Sequence, residues 1–431
     1  MATTSFGPGP RVVDQPFFTS SPFEPTRPPV ERIEDVDLTD PTLYLDGDPH
    51  ATWKVLRDTA PIFWHEKGTL GTRGQGFWVA TRHAEFVQVT KTESRIFSNA
   101  ETPLLDMTGE MFGDQISVMD APRHLAYRRI IQRYFTPKAT IEWQDEVRRI
   151  VDDILDEICE KGECDFAEIA LKIPVPATGA LMRLTASECA QLQPVQEALH
   201  LADTPEALMQ YSQAGLGLFT QIVNDRRANP RADFIGAILA AEPEGEALSD
   251  EQVLMYLWIL FIGGLDSTVH AMSASLLTLF HHPDQFARLK ADPGLMPTAV
   301  QEMLRWTAVS QHLKRLATED TVVAGQQVKA GEFVVVFDPS ANRDERVFPE
   351  PFRFDVGRSP GPICTFGMGP HVCPGLHFAA LEMEALFGAV VKRMPDIRQA
   401  GPAERALAFS ILLPPIKHLP VSFTPSKKVE R

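Results

Sequence analysis

Residues 366–375 read Phe-Gly-Met-Gly-Pro-His-Val-Cys-Pro-Gly, and the apolar, helix-forming stretch LHFAALEMEALFGAVVKRM follows at once. The two glycines before the cysteine permit a tight loop whose shape is set by the backbone. Cys373 would then precede a helix that has Pro374 in its first turn, a favoured position for proline. Free N–H groups and the positive end of the helix dipole stabilise an anionic sulfur there. We therefore predict that the pKa of Cys373 is lowered and that it serves as a thiolate.

A thiolate of this kind can bind iron, bind zinc or act as a nucleophile. Zinc prefers four ligands, which this region would have to gather with unusual spacing. The candidates are Cys364, His371, Cys373 and His377. A nucleophile needs a histidine base and an oxyanion site, which the sequence does not single out. Simple burial is common for cysteine, but it does not explain the glycine loop. Zinc ligation and simple burial are therefore the less favoured interpretations.

A second informative segment runs over residues 249–282. It opens with the S-x-x-Q pattern of a capping box and continues with apolar residues on nearly every face, so we predict one long core helix. The sequence GGLDST, residues 263–268, interrupts the pattern with two glycines, an acid and two hydroxyls. Each glycine costs about 1 kcal/mol relative to alanine in mid-helix. Two interpretations stay open: a kink where two helices cross closely, and a functional groove.

The composition limits the function. The chain has 431 residues, of which 44% are hydrophobic, and a formal net charge of -16. So acidic a chain lacks the basic surface expected of a protein that binds nucleic acid or an anionic membrane. Its five cysteines are sparse and form no disulfide framework, which suits a reducing, cytoplasmic setting. The longest apolar run is about half of the ~20 residues that a membrane span requires, so we expect no membrane anchor.

Helical periodicity dominates from about residue 49 onward, and short strand-like pieces cluster near the N-terminus and after residue 316. We therefore predict a mainly α fold with small peripheral β-sheets. No internal repeat or glycine/serine linker marks a domain boundary. We expect an extended, proline-rich arm over residues 1–30 and a single domain over residues 31–431.

The string F-G-x-G-x-H-x-C-x-G resembles the haem-binding signature of the cytochrome P450 family, and the similarity runs from about residue 77 to the C-terminal region. Glu302 and Arg305 resemble the family's E-x-x-R pair, and Arg353, within PFRF, resembles its second arginine. The resemblance implies that these three residues form a buried ion-paired triad. It also implies a fold that holds haem b between the long central helix and the cysteine-loop helix, with Cys373 as the iron ligand.

Further haem contacts are implied by the same resemblance. The haem propionates would be bound by His124, Arg128, Arg315 and His371. Cations beside carboxylates make charge-assisted hydrogen bonds, which suits this role. The remaining cofactor contacts would be Phe366, Gly367, Gly375, Gly263 and Gly264. The last two glycines would open a groove in the central helix above the iron.

The resemblance also gives the interrupted helix a catalytic use. Asp266 and Ser267 match the family's acid-alcohol pair, which delivers protons to dioxygen. The family's usual alcohol is threonine, whereas this chain has Ser267 followed by Thr268. Adjacent residues differ by about 100° around an ideal helix, so we expect only one of the two hydroxyls to face the oxygen. We favour Ser267 and keep Thr268 as the alternative.

The resemblance implies an apolar substrate pocket without a basic cluster for a strongly anionic substrate. The expected pocket residues are Leu104, Leu105, Met107, Leu313, Phe409 and Ile411. His312 is expected to orient one polar group of the substrate. We therefore expect a monooxygenase that inserts one atom of O2 into a small or medium apolar compound, such as a terpenoid, an alkyl aromatic or a similar lipophile.

Electrons must come from another protein, because the chain carries no dinucleotide-binding fingerprint, flavin module or ferredoxin-type cysteine spacing. We expect a ferredoxin and its reductase as partners of a monomeric, cytoplasmic chain, with Arg128, Arg129 and Arg133 in the docking surface. Two alternatives stay open. One is a haem-thiolate enzyme that uses peroxide or does not oxygenate its substrate, and the other is a non-catalytic haem sensor. The acid-alcohol pair argues against a sensor, which has no need of it.

Overall fold

The computed structural model describes residues 32–40, 49–202, 204–359, 361–405 and 415–429. The predicted arm over residues 1–30 and the pocket candidates Phe409 and Ile411 lie outside these ranges. The helices of the described residues are α1 (His50–Thr59), α2 (His83–Val87), α3 (Gly109–Phe112), α4 (Arg123–Gln132), α5 (Pro137–Ile141), α6 (Gln144–Asp156), α7 (Phe166–Lys172), α8 (Pro174–Met182), α9 (Ala186–Leu201), α10 (Pro205–Ala228), α11 (Phe234–Leu239), α12 (Asp250–Gly263), α13 (Asp266–His281), α14 (Pro283–Ala291), α15 (Met296–Thr307), α16 (Asp338–Ala341) and α17 (Leu376–Arg393).

The strands of the described residues are short. They are β1 (Ile62–His65), β2 (Phe77–Ala80), β3 (Phe97–Ser98), β4 (Glu163–Asp165), β5 (Leu313–Ala317), β6 (Thr321–Val323), β7 (Gln326–Val328), β8 (Phe333–Val336), β9 (Arg398–Gln399), β10 (Glu404–Arg405), β11 (Ile416–His418) and β12 (Pro420–Ser422).

Helices form the body of the described protein because their apolar faces meet in shared cores. α13 packs against α7, α15 and α17, and α17 also packs against α6. The buried side chains of this core include Leu276 of α13, Met303 of α15 and Leu386 of α17. A second core joins α10, α11 and α12, with Phe219 and Phe261 inside it. α13 is covered by several helices at once, which explains its largely apolar sequence.

The strands form small sheets at the periphery. The largest has the order β1-β2-β8-β5-β3, in which β2 and β8 are parallel and the other neighbours are antiparallel. The smaller sheets have the orders β4-β12-β9, β10-β11 and β6-β7. β5 carries Leu313 and Arg315, which lie opposite Val336 and Val334 of β8, while β3 pairs with the end of β5. The pairing with β8 therefore holds both residues in position.

The central helix is not the single helix that we predicted. A capping box of Ser249 and Gln252 begins α12, as expected, but α12 ends at Gly263 and α13 begins only at Asp266. Leu265, between them, has a φ of -92° and a ψ of -81°, outside regular helical values. The GGLDST segment therefore divides the helix in two and does more than weaken it.

The buried ion-paired triad is present, but its second arginine is not the predicted one. Arg305 donates from Nε and Nη2 to the two carboxylate oxygens of Glu302, at 2.7 and 2.8 Å. The second arginine is Arg358, whose Nε lies 3.1 Å from Glu302 and whose side chain is 15% exposed. The prediction of Arg353 as the second arginine is wrong, because its side chain is 56% exposed and pairs with nearby surface acids. A turn over residues 355–358 returns the chain and brings Arg358 to the buried carboxylate.

This assignment predicts a large loss of stability for one arginine variant and a small change for another. Arg358→Ala should lower the free energy of unfolding by about 2 kcal/mol, because it removes a hydrogen bond to a buried carboxylate. The control Arg353→Ala should change it by less than about 0.5 kcal/mol, because exposed ion pairs contribute little. Guanidinium unfolding followed by circular dichroism measures both values. A larger effect for Arg353→Ala would contradict the assignment.

Candidate active site

A cavity of about 360 Å³ lies between the break in the central helix and the cysteine loop, residues 366–375. Its wall includes Ile259, Leu260, Gly263, Gly264, Ser267 and Thr268 from the central helix, Phe366, Gly367, His371, Cys373 and Gly375 from the cysteine loop, and His124, Arg128, Leu313 and Arg315 from α4 and β5. Every residue that the sequence predicted to contact the cofactor lines this cavity. The structure thus brings together residues from four separate parts of the chain: the central helix, the cysteine loop, α4 and β5.

The cysteine loop has the tight backbone that its glycines predicted. Gly367 and Gly369 adopt positive φ angles of 67° and 70°, which favour glycine. A Cβ atom on Gly369 would also collide with the backbone of Thr90. The Cys373 N–H donates to the Phe366 carbonyl at 2.8 Å, which closes the loop. These constraints hold the Cys373 sulfur at the cavity wall.

The pKa of Cys373 differs from our prediction. Burial raises the pKa of this thiol, while the Gly375 N–H and Arg128 act in the opposite direction. We predicted a lowered pKa from the helix N-terminus alone. The cost of removing the charged sulfur from water exceeds the effect of these donors, so the net shift of the Cys373 pKa is upward.

The four-ligand zinc site considered for this region does not form. Cys364 is fully buried in an apolar core beside β5 and β8, and it is absent from the described lining of the cavity, as is His377. Burial raises the pKa of Cys364 well above its usual value, which opposes metal binding as a thiolate. His371 and Cys373 therefore lack two of the four ligands that a closed zinc site needs.

The cavity carries positive charge that no described acid neutralises directly. Arg315 is buried and donates to the Lys314 carbonyl at 2.8 Å, and Arg128 donates to the Val372 carbonyl at 2.7 Å. Within the described part of the chain, no carboxylate lies at ion-pair distance from either guanidinium. Burial lowers the pKa of Arg315 to about 10, so the group stays charged at neutral pH. Cations that face the cavity in this way fit an anionic ligand there.

Two histidines stack beside these arginines. The rings of His124 and His371 lie 3.8 Å apart at their centroids, with an angle of 28° between their planes. Burial lowers the pKa of His124 to about 4 and that of His371 to about 2, and nearby cations add to both shifts. The two imidazoles are therefore neutral hydrogen-bonding groups in this chain, and the positive charge of the cavity comes from the arginines. Nδ1 of His124 is buried and has no hydrogen-bond partner among the described residues.

The broken helix presents two hydroxyls to the cavity. The Ser267 hydroxyl donates to the Gly263 carbonyl at 3.0 Å, and the Thr268 hydroxyl donates to the Gly264 carbonyl at 3.1 Å. A Cβ atom on Gly263 would meet nothing within 4 Å, whereas one on Gly264 would approach the Thr178 hydroxyl. The helix wall is therefore open at Gly263, beside Ser267, and filled at Gly264.

Asp266 precedes Ser267 in the chain but makes its contact elsewhere. Its Oδ1 lies 3.2 Å from Nδ1 of His200, a buried residue at the end of α9. Burial raises the pKa of Asp266, but the hydrogen bond from His200 and the charges of His200 and His270 lower it, and the net shift is downward. The sequence analysis missed His200, because no sequence pattern relates it to a residue 66 positions away.

The predicted pocket residues are only partly correct. Leu313 lines the cavity. Leu105 instead belongs to a core beneath the largest sheet, with Trp53 and Phe77. Leu104 is buried away from the described lining, and Met107 is also absent from it. The reason is local, since the chain over residues 104–107 packs against the backbone of Gly71.

Residues beyond the six named candidates also line the cavity. They include Ile259, Leu260, Ile116, Leu181, Leu304 and Val309. Ile116 and Val309 belong to residues 97–118 and 309–313, two stretches that the family resemblance also implies for the pocket. A signal for two others was present in the sequence, because Ile259 and Leu260 lie four residues before Gly263 and Gly264 and so share their helix face. Leu181 and Leu304 depend on helix packing and carry no local signal.

His312 has a structural role and not the substrate-orienting role that we predicted. The Leu105 N–H donates to its Nε2 at 3.3 Å, and the ring is buried against Phe337. Burial, followed by the charge of Lys314, lowers the pKa of His312 to about 3. His312 is thus held as a neutral acceptor in the core.

Comparison with known proteins assigns the chain to a family. The family model described as Cytochrome P450 matches residues 196–292 and 294–396. The steroid C26-monooxygenase of Mycolicibacterium smegmatis is 32% identical over an alignment of 409 residues, and the match covers 92% of this chain and 98% of that protein. The chain belongs to the cytochrome P450 family.

A further relative and a solved structure agree with this membership. Cytochrome P450-terp of a Pseudomonas species is 30% identical over 418 residues, 89% of this chain and 96% of that protein. A Mycobacterium marinum cytochrome P450 solved in complex with pseudoionone has a TM-score of 0.82 and 27% identity, over 92% of this chain and 100% of that chain. The predicted mainly α cytochrome P450 fold is confirmed. As a cytochrome P450 monooxygenase, the protein binds haem b and requires O2, a substrate and a redox partner.

The role of His312 predicts a pH dependence of stability. Because its folded pKa lies below its ordinary value of 6.5, the unfolded chain binds a proton that the folded chain does not. The contribution of His312 is therefore fully present above about pH 6.5 and is lost as the pH falls toward about 3. Between these pH values, the contribution of His312 to the free energy of unfolding falls by at most about 1.4 kcal/mol per pH unit. His312→Gln should make the loss of unfolding free energy between pH 7 and pH 5 less steep.

His418 offers a control of opposite sign. The hydrogen bond with Asp165 raises the pKa of this exposed histidine, so its contribution is present at low pH and is lost as the pH rises. His418→Gln should leave the acid-side loss unchanged or slightly steeper. Urea unfolding at pH 7, 6 and 5 compares the three proteins. Equal slopes for His312→Gln and the parent would refute the role assigned to His312.

Proposed function

We propose that this cytochrome P450 inserts one atom of O2 into a compact apolar compound, such as a terpenoid, an alkyl aromatic or a similar lipophile. Cys373 holds the iron of haem b, and a separate ferredoxin with its reductase supplies the electrons. The observation that carries this proposal is the single cavity that joins Cys373, the buried Arg315, the half-buried Arg128 and the broken helix.

The residues around the cavity fit haem b. Arg128 and Arg315, with no described acid at ion-pair distance, suit the two propionates, and the neutral rings of His124 and His371 add hydrogen-bonding nitrogens. Phe366, Gly367 and Gly375 surround the sulfur ligand, and Gly263 and Gly264 leave room on the opposite wall. When bound, the haem supplies the reductive activation of O2 and the oxygen transfer, which thiolate ligation favours.

Ser267 is the residue that passes a proton into the cavity. Its hydroxyl lies at the open part of the helix wall, whereas Thr268 is buried and adjoins the filled part. A serine hydroxyl can donate one proton while it accepts another. Asp266, next to Ser267 in the chain, is ionised at rest, so it first accepts a proton from solvent and then passes it to the Ser267 hydroxyl, which returns the carboxylate to its ionised form. The Ser267 hydroxyl must leave the Gly263 carbonyl to take part, a change of one side-chain torsion.

The residues described in the wall of the cavity favour an apolar substrate. Ile116, Leu181, Ile259, Leu260, Val309 and Leu313 supply aliphatic surface, and Asn99, Ser117 and Ser310 supply a few polar groups. This combination binds a lipophile and orients it by one or two hydrogen bonds. Two similar proteins support the same class, one named a steroid C26-monooxygenase and one solved with pseudoionone.

The electron donor is a ferredoxin that docks beside the cysteine loop. Arg129 and Arg133 are exposed on and just after α4, and they supply positive charge for a weak, steered encounter. Arg128 does not belong to this surface, because it points into the cavity. We propose a monomeric, cytoplasmic protein. One stretch, Asp250–His281, is long and apolar enough to cross a membrane, but half of its most apolar window is buried in protein, as in a core helix.

Iron ligation by Cys373 predicts a spectroscopic result. After reduction with dithionite and addition of carbon monoxide, the protein should show a Soret band strongly red-shifted from that of a histidine-ligated carbonyl haem, because a thiolate donates more electron density. Cys373→Ser should lose this band, and Cys364→Ser should keep it, because Cys364 lies in the apolar core. A red-shifted band in Cys373→Ser would overturn the ligand assignment and the function built on it.

The choice of alcohol predicts different coupling in two variants. Ser267→Ala should lower the ratio of product formed to NADH consumed at least about tenfold and release hydrogen peroxide, because positioned proton transfer contributes on the order of 10² or more. Thr268→Ala should change this ratio little. Haem content and the carbonyl spectrum should stay the same in both. Peroxide release from Thr268→Ala alone would transfer the role to Thr268.

A further inference from the structure

His200, Asp266 and His270 form a cluster outside the proposed haem site, in which the two histidines are buried and Asp266, the acid of the proposed relay, is half-buried. Asp266 and His270 lie four residues apart on α13, so they share one helix face, and His200 approaches from the end of α9. One nitrogen or oxygen atom from each residue lies within 4.8 Å of the others. The rings of His200 and His270 are 5.6 Å apart at their centroids. The three side chains thus surround one small space between two helices.

His270 has an unusual environment. It is only 7% exposed, and neither of its ring nitrogens has a hydrogen-bond partner among the described residues. Leaving a buried polar group without a partner costs about 1–3 kcal/mol. Unpaired buried groups of this kind commonly indicate an ion or a water that completes the site. His270 therefore needs a partner in the space that His200 and Asp266 also face.

We propose that His200, Asp266 and His270 bind a divalent transition-metal ion of the zinc type between α9 and α13. Two imidazoles and one carboxylate are a ligand set that zinc accepts, with a fourth position left for water. The ligand atoms of His200 and Asp266 are already 3.2 Å apart, and all three ligand atoms lie within 4.8 Å of one another, so only small side-chain rotations need accompany binding. Hard cations such as Mg²⁺ prefer oxygen ligands and should bind poorly.

The charges around the cluster are compatible with a cation. The Asp266 carboxylate supplies negative charge beside both histidines. Arg405 also acts on His270 and opposes a cation, but the Asp266 carboxylate acts on it more strongly.

A metal at this position would affect catalysis through Asp266. The ion would hold the carboxylate that precedes Ser267 and would fix α9 against α13. Zinc should therefore inhibit coupled turnover reversibly. This consequence rests on the proposed relay, whereas the metal site itself does not.

The test measures zinc in the haem-loaded protein. After incubation with Zn²⁺ and gel filtration, elemental analysis gives the zinc-to-iron ratio. The parent should hold one more zinc per iron than His270→Gln or His200→Gln, and each variant should bind zinc at least about tenfold more weakly in calorimetry, since even outer-shell partners are worth that much. His281→Gln is the matched control on the same helix, where the histidine is exposed, and should bind like the parent. Mg²⁺ should give no binding heat.

Three results decide the proposal. Equal zinc-to-iron ratios in the parent, His270→Gln and His200→Gln, with carbonyl spectra showing all three correctly folded, would overturn the metal site. Zinc uptake lost in both variants but kept in His281→Gln would support it. If zinc binds in this pattern but leaves the ratio of product to NADH unchanged, the metal site stands and the role of Asp266 in the proposed relay fails.

Discussion

The buried ion pair of Glu302 and Arg305 is the constraint on which the cysteine side of the cavity depends. Two charges removed from water stabilise a fold only when good geometry and further hydrogen bonds offset their desolvation. Arg305 meets this requirement by donating to the Asn342 and Pro351 carbonyls as well as to Glu302. The ion pair therefore holds the chain after α16 against α15.

Asn342 extends this constraint to the cysteine loop. Its side-chain oxygen accepts the Cys364 N–H at 2.7 Å, and its amide donates to the Thr365 hydroxyl at 2.9 Å. That hydroxyl donates in turn to the Leu304 carbonyl on α15, also at 2.9 Å. Buried polar networks in which the members are satisfied make a structure rigid. The start of the loop that carries Cys373 is thus positioned by hydrogen bonds within the chain, while its glycines set the turn itself.

Features encoded by neighbouring residues could be predicted from the sequence. The capping box at Ser249, strand β2 and the tight loop before Cys373 each depend on residues a few positions apart, so local rules apply to them. Arg358 and His200 could not be predicted, because they reach their partners across 56 and 66 positions through a turn and a helix contact. The direction of the Cys373 pKa also depends on burial, which local sequence does not give.

The break in the central helix links the stability of the fold to the proposed chemistry. Two glycines weaken the helix, and the hydroxyls of Ser267 and Thr268 bond back to the Gly263 and Gly264 carbonyls, a contact that tends to bend a helix further. The same break starts a new helix at Asp266 and turns its carboxylate toward His200. Acid and alcohol are adjacent in sequence, yet one faces α9 and the other faces the cavity. In the proposed function, the contact with His200 orients the carboxylate, so the position of α9 beside α13 affects proton delivery.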